Sequence, residues 1–268
     1  MPDTKALRTR IKSVDSTLHL TKAMGLVASS KMRRSGEAMA KGRDYAASVR
    51  DVISRLSLSK ECAKSVFMRE GSEDISRIKL IVIAGDRGMA GGYNANIFRL
   101  AAKYSGAEII PIGKRACDRF GGEVNSSERF SSDDAGKLAR KLCAEFSRGE
   151  FDRLGIISTK YESMMTQTVQ LEWLLPLKRT AEDSNVSMIF EPDELSILNA
   201  VVPEYVAGIL VSSIRESFAC EVAARRNAMD SAGKNANEMI AALQLEYNRA
   251  RQGAITQEIT EIVAGASN

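Results

Sequence analysis

The sequence predicts an α/β protein in which a long antiparallel coiled coil, formed by the N- and C-terminal helices, carries an inserted Rossmann-like α/β domain. Three observations lead there. Proline occurs only at positions 2, 111, 176, 192 and 203. An interior proline costs a helix about 3 kcal/mol, so both ends of the 268-residue chain are free to run as long helices. Near both ends, apolar residues recur at steps of three and four, the spacing of a helix-packing seam. Between the ends the period changes to short continuous apolar runs bounded by turn formers, the mark of strands buried on both faces.

The N-terminal helix is expected over residues 1–60. Leu7, Ile11, Val14 and Leu18 alternate steps of four and three, and Leu20, Met24 and Val27 resume the stripe from a shifted position, which predicts a coiled-coil seam with a stutter. The insert, residues 70–200, holds Leu80-Ile81-Val82-Ile83-Ala84, Glu108-Ile109-Ile110-Pro111-Ile112 and Leu154-Gly155-Ile156-Ile157-Ser158 as parallel strands. Residues 94–104 and 133–146 have helical composition, and Val169-Gln170-Leu171-Glu172-Trp173 alternates as a further strand with one solvated face. The C-terminal coil is assigned to residues 204–268. Ile240, Leu243, Tyr247, Ala250 and Ala254 mark a narrow, alanine-rich seam in a helix expected from about 204 to 264. At 1.5 Å per residue the paired helices would each be on the order of 80 to 90 Å long and would project beyond the insert.

Composition narrows the function. A hydrophobic content of 44% supports a real core, and an aromatic share of only 6% favours helices packed through small side chains. The net charge of +4 is the difference between 38 basic and 34 acidic residues, mild enough to fit acidic protein partners as well as nucleic acid. The aromatic interleaving of a single-stranded nucleic-acid platform is missing, so no nucleic-acid partner is expected. Cys62, Cys117, Cys143 and Cys220 lie far apart with no C-x-x-C pair, which suggests neither zinc nor disulfides and points to a reducing compartment. Charges occupy the N-terminus where a secretory signal needs an apolar stretch, and no run of about eighteen apolar residues occurs, so the chain is expected to be soluble or peripheral.

The candidate sites are few. Residues 85–94, Gly85-Asp86-Arg87-Gly88-Met89-Ala90-Gly91-Gly92-Tyr93-Asn94, follow a strand and precede a helix, where a doubly wound fold cradles a phosphate. The glycines do not match G-x-G-x-x-G, no G-K-[ST] follows, and Asp86 would repel an anion, so a structural turn is the favoured reading. His19 is the only histidine and stands on a helix, so no catalytic triad is expected to close. The basic clusters Lys31-Met32-Arg33-Arg34 and Arg225-Arg226 read as solvated faces of the coil. No catalytic group, cofactor or metal site is expected.

Two segments carry a family resemblance. Ile11-Lys12-Ser13-Val14, Thr21-Lys22-Ala23-Met24 and residues 27–34 (VASSKMRR) are similar to the N-terminal signature of ATP synthase gamma subunits of the bacterial, F-type kind. Residues 243–252 (LQLEYNRARQ) and 255–263 (ITQEITEIV) resemble that family's ending almost position for position, with Ala223-Ala224-Arg225 and Asp86-Arg87-Gly88 adding to the match. Gly25 and Gly253 depart from the family's usual residues, and the cysteine-bearing insert of chloroplast relatives is absent.

The resemblance implies a non-catalytic rotor shaft that couples proton flow to ATP synthesis, with catalysis on the partner beta subunits. Its implied partners are the alpha and beta subunits, the epsilon subunit and the membrane ring of c subunits, with membrane contact only through the complex, at the cytoplasmic face of a bacterial inner membrane. It also implies that Arg251, Gln252 and Thr256 touch beta-subunit loops, that Met24 and Arg225 lie near the same level, and that Ile259 and Ile262 belong to an apolar tip. Two rival readings remain, a coiled-coil adaptor and a nucleotide-binding enzyme that uses the insert.

Overall fold

The computed structural model describes residues 4–69, 77–123, 125–178 and 191–266. The chain divides into two compact units, Ser30–Ala224, and Met1–Ser29 together with Arg225–Asn268. Two long helices contribute to both, α1 over Thr4–Ser57 and α5 over Glu194–Ala266.

The larger unit is built on one sheet. Its strands are β1 (Ile78–Ile83), β2 (Glu108–Ile112), β3 (Arg153–Tyr161) and β4 (Gln167–Leu175), in the order β2-β1-β3-β4. β1 runs parallel to β2 and β3, while β4 pairs antiparallel with β3. Helices cover both faces, which is why Leu80 to Ile83 of β1 read as an unbroken apolar run. Ile81 and Ile83 pack with Leu56 of α1, Leu142 of α4 (Ser132–Ser147) and Leu198, Val202 and Ile209 of α5. Leu80 and Val82 turn to the other face, against Ile97 of α2 (Tyr93–Ala101), Ala116 of α3 (Lys114–Phe120) and Cys220 of α5. A capping box starts α4: the Ser131 hydroxyl accepts from the Asp134 N–H at 3.1 Å, and the Asp134 carboxylate accepts from the Ser131 N–H at 3.1 Å.

Several expectations need correction. The seam of α1 has no stutter. Leu7, Ile11, Val14, Leu18, Thr21, Gly25, Ala28, Met32 and Ser35 continue the same three-and-four rhythm, each buried or half-buried. Leu20 and Val27 instead point to solvent, 57% and 55% exposed, and only Met24 of that trio is half-buried. The seam passes through small and polar residues, so a stripe drawn from apolar residues alone drifts off it. α5 begins at Glu194, earlier than expected, with Pro203 inside it. Asp193 starts the helix by accepting from the N–H and hydroxyl of Ser196 at 2.8 and 2.7 Å. α3 was not expected at all. The apolar first half of α5 includes an 18-residue window of mean hydropathy 1.6, long and apolar enough to cross a membrane, but 56% of it is buried within the protein.

In the smaller unit, Leu18, Thr21 and Ala28 of α1 and Met229, Ala236 and Leu243 of α5 are buried, while Ile240, Tyr247 and Ala250 are half-buried. Ala254 is exposed, and so is every residue from 254 to 265. The α5 seam ends at Gly253.

Candidate functional site

In a doubly wound sheet, ligands bind outside the carboxyl ends of the parallel strands, where the strand order reverses. Here β1 ends in the turn of residues 85–94. The turn is tied to itself and its neighbours: Asn94 Oδ1 accepts from the Gly85 N–H at 3.0 Å, and the Gly85 carbonyl accepts from the Arg115 N–H at 3.1 Å. Met89 and Gly91 take the left-handed backbone conformation, φ 59° and 57°.

The Asp86 carboxylate occupies the place of an anion. It accepts from the backbone N–H groups of Lys114, Ser127 and Glu128 at 3.1, 2.9 and 3.1 Å, and from the Ser126 hydroxyl at 2.5 Å. Burial pushes its carboxyl up, but these bonds, led by Ser126, outweigh that and hold it below the ordinary carboxylate range. The N–H groups of Lys114, Ser127 and Glu128 beside the turn are thus engaged by the chain's own carboxylate.

The crevice beside β1 and β3 is filled by α5. The Glu221 carboxyl lies where a side chain at Gly85 would stand, its carbon 2.7 Å from a methyl placed there. Ser217 accepts on its hydroxyl from the Thr159 N–H at 3.2 Å, and its carbonyl accepts from the Tyr93 hydroxyl at 2.9 Å. Burial first, and the Glu221 charge second, push the Tyr93 phenol well above its usual range, so it remains a donor. Sequence reading missed Glu216, Ser217 and Glu221. The available signal was the polar series Ser213, Ser217 and Glu221, spaced by four so that it follows one face of the helix, with Glu216 beside it.

His19 is exposed, with Asp15 at 3.7 Å as its nearby carboxylate. Lys31 meets Glu128 at 2.5 Å and lies 5.7 Å from the Phe218 ring, so one cation of that basic cluster is engaged rather than solvated. All four cysteines are buried free thiols, with burial pushing Cys143 up to about 12. Among the described residues no group of three or more His, Cys, Asp or Glu could hold a metal ion. A polar groove of ≈ 530 Å³ in the larger unit is lined by Arg43 and Arg50, already paired with Glu216 and Glu172 at 2.6 Å each.

In the smaller unit the end of α5 presents one exposed face. At about 100° per residue, Arg251, Gln252, Ile255, Thr256, Ile259, Ile262 and Val263 fall within an arc of about 140°, away from the seam side of Leu243, Tyr247, Ala250 and Gly253. Each of these seven is exposed, Ile259 at 56% and Ile262 at 65%. The Thr256 hydroxyl bonds back to the Gln252 carbonyl at 2.9 Å. Met24 and Arg225 are half-buried. A groove of ≈ 490 Å³ opens where Gly25 faces Met229 and Gly233 faces Thr21 and Leu18.

Comparison with known proteins gives a consistent picture. A family model described as ATP synthase matches residues 3–268. The chain is 41% identical over 286 residues to an ATP synthase gamma chain of Ruminococcus albus, covering 100% of this chain and 99% of that one. It is 37% identical over 282 residues to an ATP synthase gamma chain of Desulforamulus reducens, with the same coverage. Among solved structures it is similar to a chain of the Euglena gracilis mitochondrial ATP synthase rotor, with TM-score 0.66, 17% identity and coverage of 94% and 98%. A chain of the Tetrahymena thermophila mitochondrial ATP synthase central stalk and c ring gives TM-score 0.61 at 20% identity, covering 80% of this chain and 99% of that one. At such identities the structures speak for the fold alone.

Proposed function

The chain belongs to the ATP synthase gamma-chain family, whose members form the central stalk, and on that premise we propose that it is the rotor shaft coupling proton flow to ATP synthesis. In this reading residues 1–60 and 204–268 form the shaft, and residues 70–200 form the α/β domain set against the epsilon subunit and the c ring. Catalysis rests with the beta subunits of a surrounding alpha and beta ring. The chain is peripheral, held at the cytoplasmic face of a bacterial inner membrane by the complex.

The observation that carries the proposal is the end of α5. It continues as helix to Ala266 although every residue from 254 to 265 is exposed, and Ile255, Ile259, Ile262 and Val263 stand bare to solvent. Helices draw most of their stability from packing, so this end needs partners to surround it. Arg251, Gln252 and Thr256 are assigned to beta-subunit loops, Met24 and Arg225 to the same level, and Ile259 and Ile262 to the bearing at the tip. Arg251 is the strongest single contact in this scheme, because a guanidinium can bond a carboxylate at two points.

The experiment is co-expression with alpha and beta subunits followed by an ATPase assay. A stable complex whose hydrolysis depends on the chain is expected. Failure of the chain to co-purify, or equal hydrolysis by alpha and beta alone, would overturn the proposal. Micromolar ATP affinity of the isolated chain in a calorimetric titration, lost on replacing Gly88 and Gly91, would favour the nucleotide-enzyme reading instead.

A further inference from the structure

The parallel strands end unevenly. β1 stops at Ile83 and pairs with β3 only as far as Val82 with Ile157, whereas β3 runs on to Tyr161 beside β4. Beyond Ile157, the edge of β3 that faced β1 pairs with no strand among the described residues. Side chains of α5 take that place. The Thr159 N–H donates to Ser217 Oγ at 3.2 Å, and the Tyr161 N–H donates to Glu216 Oε1 at 2.8 Å. Arg43 of α1 closes the arrangement, donating to Glu216 at 2.6 Å and to the Tyr161 carbonyl at 2.5 Å. One turn further along α5, the Glu221 carboxyl fills the space above Gly85, and the Tyr93 hydroxyl holds the Ser217 carbonyl.

We propose that this joint is where torque passes between α5 and the α/β domain, with Glu216, Ser217 and Glu221 as the positioning residues that fix the rotation of α5 about its own axis. The inference rests on the rotor reading. Apolar burial is non-directional, so the seam residues of α5 resist separation from the sheet much more than they resist twisting. Hydrogen bonds and a steric stop are directional. At about 100° per residue, positions 216, 217 and 221 span about 140° of the helix surface. Turning α5 one way stretches the bonds to β3, and turning it the other way drives the Glu221 carboxyl against the Gly85 backbone. Ser59 with Glu194, Ser65 with Asn199 and Arg140 with Glu204 tie the first turns of α5, whereas this joint lies nearer Ala224, where α5 reaches the end of the unit.

The test uses the assembled complex in membrane vesicles and reads the ratio of ATP-driven proton uptake to ATP hydrolysed. Glu216→Ala combined with Ser217→Ala should lower that ratio to about half or less of wild type while hydrolysis continues, because two bonds to β3 are lost. Ser217→Thr keeps a hydroxyl, and Glu216→Gln keeps an oxygen for the Tyr161 N–H, so each should stay near the wild-type ratio. Hydrogen exchange at the Thr159 and Tyr161 amides reports whether the bonds are gone. Faster exchange there with an unchanged ratio overturns the proposal, as does a loss of hydrolysis and pumping in equal proportion. If the double variant does not assemble, Ser217→Ala alone decides by the same ratio, a fall supporting the joint and no change refuting it. A wild-type complex that does not pump at all would strike the rotor reading, whereas a pumping wild type with an unaffected variant strikes only the joint.

Discussion

In the larger unit, a methyl group added at Gly85 meets the Glu221 carboxyl carbon at 2.7 Å, and one added at Gly155 meets Leu80 and Leu171 at 2.7 and 2.8 Å. In the smaller unit, a methyl added at Gly25 finds Met229 at 3.7 Å, and one added at Gly233 finds Thr21 at the same distance. The first pair of glycines stands where neighbouring side chains already fill the space a methyl would need. The second pair stands where an ordinary side chain fits. The α/β unit therefore specifies its own geometry through dense packing, whereas the two-helix coil is underfilled and buries little. A shaft that takes its stability from surrounding subunits fits that division.

The largest effect that would sharpen this contrast is expected at Gly113. Its φ of 96° favours glycine, and an added methyl would come within 2.0 Å of the Ala84 carbonyl oxygen, a backbone atom that cannot move aside. Gly113→Ala should destabilise the chain by about 4 kcal/mol in urea unfolding. A loss below about 1 kcal/mol would break the claim that this unit is packed without slack.

Asp86 gives a smaller effect with a pH signature. Asp86→Ala leaves the N–H groups of Lys114, Ser127 and Glu128 without their acceptor, at a cost of about 1–3 kcal/mol near neutral pH. The folded carboxyl titrates below its ordinary value, so its contribution is present above about pH 4 and is lost as pH falls through the folded pKa. The stability gap between wild type and variant should close on acidification. A gap that persists unchanged at pH 3 would count against the network around Asp86.

The smallest effect has the opposite sign. Gly25→Ala and Gly233→Ala should each stabilise the coil by about 0.5–1 kcal/mol, since each removes a helix-softening glycine without a clash. Hydrogen exchange on the free chain is the companion measurement. β1 and β3 should be better protected than residues 230–264. Uniformly strong protection of both would erase the contrast.

The same contrast governs what the sequence made legible. β1, β2 and β3 were readable because a sheet covered on both faces needs unbroken apolar runs, and Leu80 to Ile83 supply one. The coil seam was readable only where its residues are large. At Thr21, Gly25 and Ala28 it passes through small and polar side chains, and the exposed Leu20 and Val27 drew the reading aside. α3 escaped because seven residues between Gly113 and Gly121 carry too little periodicity. Pro203 masked the true start of α5, although the helix tolerates the missing donor to the Asn199 carbonyl in a tightly packed unit. At residues 85–94 the charge of Asp86 was legible, and the N–H groups of Lys114, Ser127 and Glu128 engage it. The filling of the crevice was not, because Glu221 and Gly85 are far apart in sequence and meet only through the fold.

Moving one elementary charge through a membrane potential releases about 2.3 kcal/mol per 100 mV, whereas an exposed ion pair is worth about 0.2–1 kcal/mol, so no single surface contact carries the work of several protons. The polar residues Arg251, Gln252 and Thr256 should share that load, and the apolar residues nearer the tip should only centre the shaft. ATP-driven proton pumping in membrane vesicles, at matched assembly, compares Arg251→Leu with Gln252→Leu against removal of the residues after Glu258. The double substitution should impair pumping more than the truncation does. Normal pumping by the double substitution together with abolished pumping by the truncation would contradict the account.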